Sequence, residues 1–489
     1  MFDPRYLPVT FSTLTTIALA AFDGLAVSAA LPQVTADLGD VGLYSWVLTA
    51  FLLCSTIAIP IAGPIIDALG VRTTFRFTVI LFVAASAACA VAPSMPVLVA
   101  LRAVQGVGGG LVIAVALSAV GVAYPVHLRS RAYAANSTVW GVMSLGGPAI
   151  AAALVATLGW QAVFLVNVPL GALAAATGWN RLPERVVAER NRVRFDVPGI
   201  VLLTGFTAAA VLAAGSVSRW TVVGFVIAVA FGAAYWAWSG RAREPVLARR
   251  YLTAAPFGAL NFAGFAVFAA ALGLDSYVPL FVQGGLGRSA AVAAFSLAFL
   301  SVGWTSASLI VSRVFDRIPE STAIIVGFGF LIPSLVVGLV VFSAATPLTV
   351  VFAVSFLQGF GVGTITNSVL TLLQAQAAPE EIGRASSSHQ YLRGLGNTVG
   401  TAAAGAVLLA VVSRRIGDVA SVRALLAGEE VALAAETRDA VAAGFRLAHI
   451  LALAIASLGL VAALRIRRDF AAARLAKRGG IDGFFFRAS

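Results

Sequence analysis

Three charged residues stand where charge is costly. Asp23 in AAFDGLAVSAALPQV, Arg102 in LRAVQGVGGG and Asp275 in LGLDSYVPLFVQ each interrupt a run of apolar and small residues. The run from Val97 to Val122 holds no other charge and is long enough to cross a hydrocarbon layer of about 30 Å. A guanidinium one or two turns inside such a helix faces a bundle interior or a wet cavity. Otherwise it snorkels to the interface, and its glycines serve helix packing alone. Gln105 one turn along and the clearing made by Gly106, Gly108, Gly109 and Gly110 favour the interior. An interior arginine needs an acid. Asp23 lies roughly 15 residues into the first apolar run, which at 1.5 Å per residue reaches a depth similar to that of Arg102 entering from the opposite face. Such a pair is either a fixed ion pair or a titrating carboxylate, because burial and a nearby cation act on proton affinity in opposite senses. Asp275, beside Tyr277, is a second acid suited to protons or to a cationic ligand group, unless its helix ends early and leaves it at the interface.

Other residue sets bear on motion and binding. Gly63, Asp67, Gly70 and Arg72 form a tight turn with a carboxylate after the second run. The glycines permit unusual dihedrals, and Asp67 is placed to cap a helix N-terminus or hold an arginine from elsewhere. Gly141, Gly146, Gly147 and Pro148 make a thin, kinked helix. Phe22, Trp140, Phe262, Phe265 and Tyr277 are the aromatics placed to line a cavity, although most aromatics at such positions are core. His127, His389, His449, Cys54 and Cys89 have neither metal nor disulfide spacing. No phosphate-binding loop and no nucleophile with a matching base occurs. The sequence therefore implies no cofactor and no enzyme, and excludes an ATP-driven pump and a hydrolase.

The elements that must position these residues follow from composition. The 489 residues are 60% hydrophobic and 11% charged, against about 25% charged in soluble domains. The chain reads as an all-α integral membrane protein. Apolar runs predict fourteen spans, at 9–31, 43–66, 76–93, 97–122, 133–157, 161–180, 199–217, 220–240, 256–284, 289–312, 321–343, 347–376, 384–412 and 444–465. The net charge is +12 and Lys477 is the single lysine. The arginines cluster in short loops, which is a topology signal and not a nucleic-acid surface. Alternate connections carry Arg72 and Arg76, Arg129 and Arg131, the group Arg181 to Arg194, the group Arg241 to Arg250, Arg313 and Arg317, and Arg384. The tail carries Arg465 to Arg478. The other connections are nearly bare, apart from a long segment 413–444 of alternating apolar and charged residues, readable as a helical hairpin on the outer surface. The positive-inside rule puts both termini in the cytoplasm, and the expected location is the cell inner (plasma) membrane.

An internal echo divides the chain. Asp67 after span 2 matches Asp316 after span 10, and Gln105-Gly106-Val107-Gly108 in span 4 matches Gln358-Gly359-Phe360-Gly361 in span 12. Parallel six-helix halves give such repeats. The expected division is a six-helix bundle at 1–180, two inserted helices with linkers at 181–255, a six-helix bundle at 256–470 and a tail at 471–489. Arg102 maps onto Ser355, so that charge exists in one half only.

These motifs resemble the major facilitator superfamily, and specifically its fourteen-helix drug:proton antiporters. Gly63-x-x-x-Asp67-x-x-Gly70-x-Arg72 resembles the signature loop after the second helix, with Val71 in place of a basic residue. Arg102-x-x-Gln105-Gly106-x-Gly108 resembles the proton-coupling motif of the fourth helix. Gly146-Gly147-Pro148 resembles the antiporter motif of the fifth, with Met143 where a glycine is usual and Ala151-Ala152 for the closing glycine pair. Asp23 with Ala30-Leu31-Pro32 resembles the exporters' first-helix motif, and Gly159-Trp160, Phe164, Asn167, Pro169 and Gly171 match the sixth-helix run. The resemblance implies two six-helix bundles that rock about a central cavity. Protons entering through Asp23, Arg102 and Asp275 would drive export of lipophilic, cationic small molecules from a monomer in contact with membrane lipid. Gly63, Asp67, Gly70, Arg72, Gln105, Gly147 and Pro148 would serve the conformational switch. On this reading Asp23→Asn folds but loses transport driven by a pH gradient. The alternative is a lipid or glycolipid translocase of the same fold.

Overall fold

The computed structural model describes residues 4–40, 43–184, 196–214, 219–314, 318–416 and 435–478. The regular elements among the described residues are all helices, with no strand. The first group is α1 (Leu7–Leu38), α2 (Tyr44–Leu69), α3 (Val71–Ala90), α4 (Met95–Ala123), α5 (Val126–Leu158), and the consecutive α6 (Gln161–Leu165) and α7 (Asn167–Gly178). A hairpin of α8 (Val197–Ala214) and α9 (Arg219–Ser239) and the short α10 (Arg249–Thr253) come next. The second group opens with α11 (Phe257–Val267), α12 (Gly273–Asp275) and α13 (Val278–Leu280). It continues with α14 (Ala290–Val314), α15 (Glu320–Val341), α16 (Leu348–Gln376), α17 (Ile382–Ile416) and α18 (Ala435–Arg478).

Among the described residues twelve helices are long and apolar enough to cross a membrane, thirteen when the two arms of α5 count as one span. The expected seventh span differs: its apolar stretch, Val197–Ala210, is shorter than the others. Alpha 5 bends by 51° between Val126–Ser144 and Ala149–Leu158, where Pro148 lacks the N–H that would continue the helix. Helix α1 is longer than its expected 9–31, running until Gly39 stops it at φ +70°. The last helix begins at Ala435 instead of 444. Its charged start hides an apolar face, in which Val441, Phe445, Ala448 and Ala452 are buried at helical spacing. Phe445 stacks on Phe281 at 4.7 Å. Residues 435–444, expected within an outer loop, are thus helical. Residues 413–416 of that segment end α17, and residues 417–434, like Asp316, lie outside the described residues.

The repeated Gln-Gly-x-Gly makes the same contact in each group. A side chain on Gly106 of α4 would strike the Phe51 carbonyl of α2, and one on Gly359 of α16 would strike the Leu300 carbonyl of α14. Small residues let membrane helices approach this closely. Helices α2 and α5 of the first group pack against α17 and α14 of the second, and α8 lies on α2 and α17, where Thr207 and Tyr391 hydroxyls bond at 2.9 Å.

Candidate functional site

The acid and the arginine of the first group meet. Arg102 Nη1 donates to Asp23 Oδ2 at 2.8 Å, and both residues are fully buried. Gln105 Nε2 and Asn167 Nδ2 donate to Asp23 Oδ1 at 2.8 and 3.0 Å, and both also donate to Ser86 Oγ, at 2.9 and 2.8 Å. Ser86 in turn donates to the Phe164 carbonyl. Arg102 Nε donates to the Val47 carbonyl, its Nη1 also donates to Gln105 Oε1, and the guanidinium lies 4.2 Å from the centre of the Phe51 ring. The aspartate ties α1 to α4 and α7, and Ser86 adds α3 through Gln105 and Asn167; buried charge is tolerated only with such pairing and hydrogen bonding.

The second charged region is open. A cavity of about 400 Å³ lies where the two helix groups face each other, lined from α1, α4 and α5 on one side and from α12, α14, α16 and α17 on the other. Asp275 and Arg393 both line it, with Tyr133, Asn136, Trp140, Trp304, Thr366 and Asn367. Asp275 sits between two π-helical turns, Phe268–Leu272 and Phe281–Gly285, a distortion frequent at functional sites. Its Oδ1 has no protein partner.

The arginine-rich end of the cavity is shut. Tyr133 OH bonds Gln374 Oε1, and Gln374 Nε2 donates to Ser386 Oγ at 2.7 Å. Asp67 caps α17: its two oxygens accept from Gly383 N at 2.8 Å and Arg384 N at 3.0 Å. Arg384 also donates to Glu244 at 3.1 Å.

The family profile described as Major Facilitator Superfamily matches residues 13–401. The chain belongs to that superfamily. It is 29% identical over 401 residues to the "Multidrug transporter protein MdtP" of Bacillus subtilis (strain 168), covering 80% of this chain and 73% of the relative. It is 26% identical over 423 residues to the "Multidrug resistance protein 3" of the same organism, covering 84% and 81%. The solved structure of a bacterial homologue of the iron transporter ferroportin in its outward-facing state superposes with a TM-score of 0.63 at 12% identity, covering 95% of this chain and 100% of that one. Its likeness is one of fold. This chain is a multi-pass membrane transporter and not an enzyme.

For a superfamily member the residues singled out by sequence distribute unevenly. Gln105, expected in the switch, belongs to the Asp23 cluster. Asp23 and Arg102, expected to face a bundle interior or a wet cavity, pack inside the first group and do not line the cavity. Trp140 lines it, whereas Phe22, Phe262, Phe265 and Tyr277 do not. Phe22 is 2% exposed and belongs to the first group's core. Phe262 faces outward, 40% exposed, with Phe265 stacked on it at 6.1 Å. The Tyr277 hydroxyl is turned against Gly405. Gly63 abuts Ser387 and the Arg384 backbone, Gly70 holds φ +81° between α2 and α3, and Arg72 donates to the Leu182 carbonyl and pairs with Glu184. Gly147 and Pro148 lie at the α5 bend. Sequence reasoning missed Asn136, Thr366, Asn367 and Trp304 as cavity residues and Ser86 as a cluster residue. Their signal was a polar group inside an apolar run.

Proposed function

We propose that this transporter exports lipophilic small molecules in exchange for protons by alternating access. The observation that carries the reading is Asp275, a carboxylate with an unpartnered oxygen in a cavity between the two helix groups. A group so placed binds a proton or a cationic group on the substrate, one at a time. The relatives' names, a multidrug transporter and a multidrug resistance protein, agree with it. Asp275 is the carrier in this conformation; Asp23, held by Arg102, takes a proton only where α1 and α4 part. In this reading the chain is a fourteen-span monomer of the plasma membrane, with six-helix bundles at 1–180 and 256–470, an inserted pair at 181–255, and both termini in the cytoplasm. The arginine-rich closed end is then the cytoplasmic end, and Gly63, Asp67, Gly70, Arg72, Gly147 and Pro148 serve its opening. Proteoliposomes with an imposed pH gradient and a panel of dyes test this. Gradient-driven dye movement that Asp275→Asn removes is expected, and movement indifferent to the gradient sinks the reading.

A second reading has its own support. A groove of about 850 Å³ runs between α1, α5 and α14, lined by Leu14, Ala18, Val139, Val142 and Leu309, with Arg131 and Arg313 among its lining. An apolar groove with basic residues suits a lipid, as in a lipid or glycolipid translocase. Movement of a fluorescent phospholipid between leaflets, with no dye export, would favour it.

A further inference from the structure

The exporter reading fixes no substrate chemistry, and the polar lining of the cavity goes further. Seven side-chain atoms around it have no hydrogen-bond partner in the protein: Asn136 Nδ2 and Oδ1, Asn367 Nδ2, Trp304 Nε1, Arg393 Nε, Thr366 Oγ1 and Asp275 Oδ1. Asn136 and Asn367 are each 4% exposed. Buried polar groups in native proteins are paired, and those left over call for an explanation. Here the leftovers converge on one space. Four are N–H donors, contributed from α5, α14, α16 and α17, and a ligand meets them all with oxygen.

Arg393 sharpens this. Its guanidinium lies 4.2 Å from the centre of the Phe268 ring and 6.0 Å from that of Trp304, and Nη1 donates to Gln390. The ring faces and the amide hold the cation in place but supply no counter-charge. Among the described residues no carboxylate pairs with it. An arginine enclosed without an anion is costly, and its planar fork matches an anionic oxygen group.

The structure assigns the cavity a substrate class, resting on the exporter reading: compounds that carry an anionic oxygen group, a carboxylate above all. The anion sits at Arg393 among the Asn136, Asn367 and Trp304 donors. Any amine sits at Asp275, so the preferred compounds are zwitterions and not simple lipophilic cations.

Rhodamine 110 and rhodamine 123 form a matched pair, because the second is the methyl ester of the first and differs only in lacking the carboxylate. Fluorescence polarisation with the purified full-length protein in detergent measures the affinity of each. Rhodamine 110 is expected to bind about tenfold more tightly, the scale of one charge-assisted contact. Arg393→Gln should bring it down to the affinity of the ester, and Arg393→Lys should retain part of the preference. Trp304→Phe keeps an aromatic face but loses the pyrrole ring with its N–H, so it should weaken rhodamine 110 more than rhodamine 123 and serves if Arg393→Gln does not fold. Equal affinities, tighter binding of the ester, no binding of either, or equal weakening of both by these variants overturns the assignment. The two readings fail separately. Gradient-driven export of rhodamine 123 in preference to 110 overturns this assignment and leaves the exporter standing. A binding preference for 110 with no gradient-driven movement of either dye does the reverse.

Discussion

Each helix group of this transporter holds an aspartate and an arginine among apolar residues, and treats them in opposite ways. In the first group Asp23 and Arg102 are bound to each other at 2.8 Å and closed off by Gln105, Asn167 and Ser86. In the second, Asp275 and Arg393 have no ionic partner among the described residues and both face the cavity. The same two residue types make a brace in one place and a pair of vacant handles in the other. Charges that satisfy each other hold helices together, whereas charges left unsatisfied beside a cavity are available to something that enters it.

The largest effect should come from breaking the brace. Asp23→Asn puts an amide NH2 where the carboxylate accepts from Gln105, Asn167 and Arg102 together, so a donor meets a donor and Arg102 loses its counter-charge. Removing one partner of a buried pair costs about 3–5 kcal/mol. The single variants Asp23→Asn and Arg102→Gln should each lower the thermal stability of the detergent-purified protein strongly, and the double variant should recover part of the loss. If both singles melt like wild type, the brace is not structural and the contrast between the groups fails. This differs from the expectation drawn from sequence, that Asp23→Asn folds and loses only coupling: the motif suggests a titrating group, and the hydrogen bonds also make it a joint between α1, α4 and α7.

Asn167→Ala sharpens the same side by removing one donor to Asp23 Oδ1 and one to Ser86. A hydrogen bond to a charged group contributes about 1.5–3 kcal/mol. Thermal unfolding should register a smaller drop than that of Asp23→Asn, and the two variants should not add, because they share a partner. Full additivity would mean that Asn167 acts elsewhere.

How much of this was legible in the sequence depends on whether a feature is local or convergent. The pairing of Asp23 with Arg102 was readable because depth along a helix is a local count and opposite charges at equal depth have few alternatives. The glycine contacts were readable because Gly106 and Gly359 repeat one motif. Ser86 was not, since a serine in an apolar helix carries no mark of what it faces. Nor was the cavity: Asn136, Trp304, Asn367 and Arg393 come from α5, α14, α16 and α17, and only the packing of those helices brings them together. Phe22 was misplaced for the same reason, one residue before Asp23 but turned into the first group's core. The start of the last helix was missed because Glu436, Arg438 and Asp439 interrupt its hydropathy while its inner face stays apolar.

On the open side the effect is on coupling and not on folding. Asp275 Oδ1 accepts nothing in the protein, so Asp275→Asn should leave thermal stability near that of wild type. One proton exchanged across one pH unit corresponds to about 1.4 kcal/mol, or a tenfold concentration ratio. Proteoliposomes carrying Asp275→Asn should equilibrate dye but fail to build that ratio. If they still concentrate dye, the proton travels elsewhere. If instead they unfold with the Asp23 variants, the second group's acid is a brace as well and the contrast is lost.

The smallest effect tests whether burial, and not charge itself, separates a brace from a surface contact. Arg384 pairs with Glu244 at 3.1 Å, with side chains 25% and 44% exposed, and Arg250 pairs with Glu381, 46% and 31% exposed. These pairs join the segment after α9 to the start of α17, as Asp67 does from α2, but water reaches them. Exposed pairs contribute about 0–1 kcal/mol and weaken with salt. Glu244→Gln should therefore shift unfolding slightly at low salt and not at all near 1 M. The Asp23→Asn loss should persist at both, since no ions reach a fully buried pair. A salt-independent loss for Glu244→Gln as large as that of Asp23→Asn would mean that exposure does not govern what these ion pairs contribute, and the reading of the first group as a brace would need another cause.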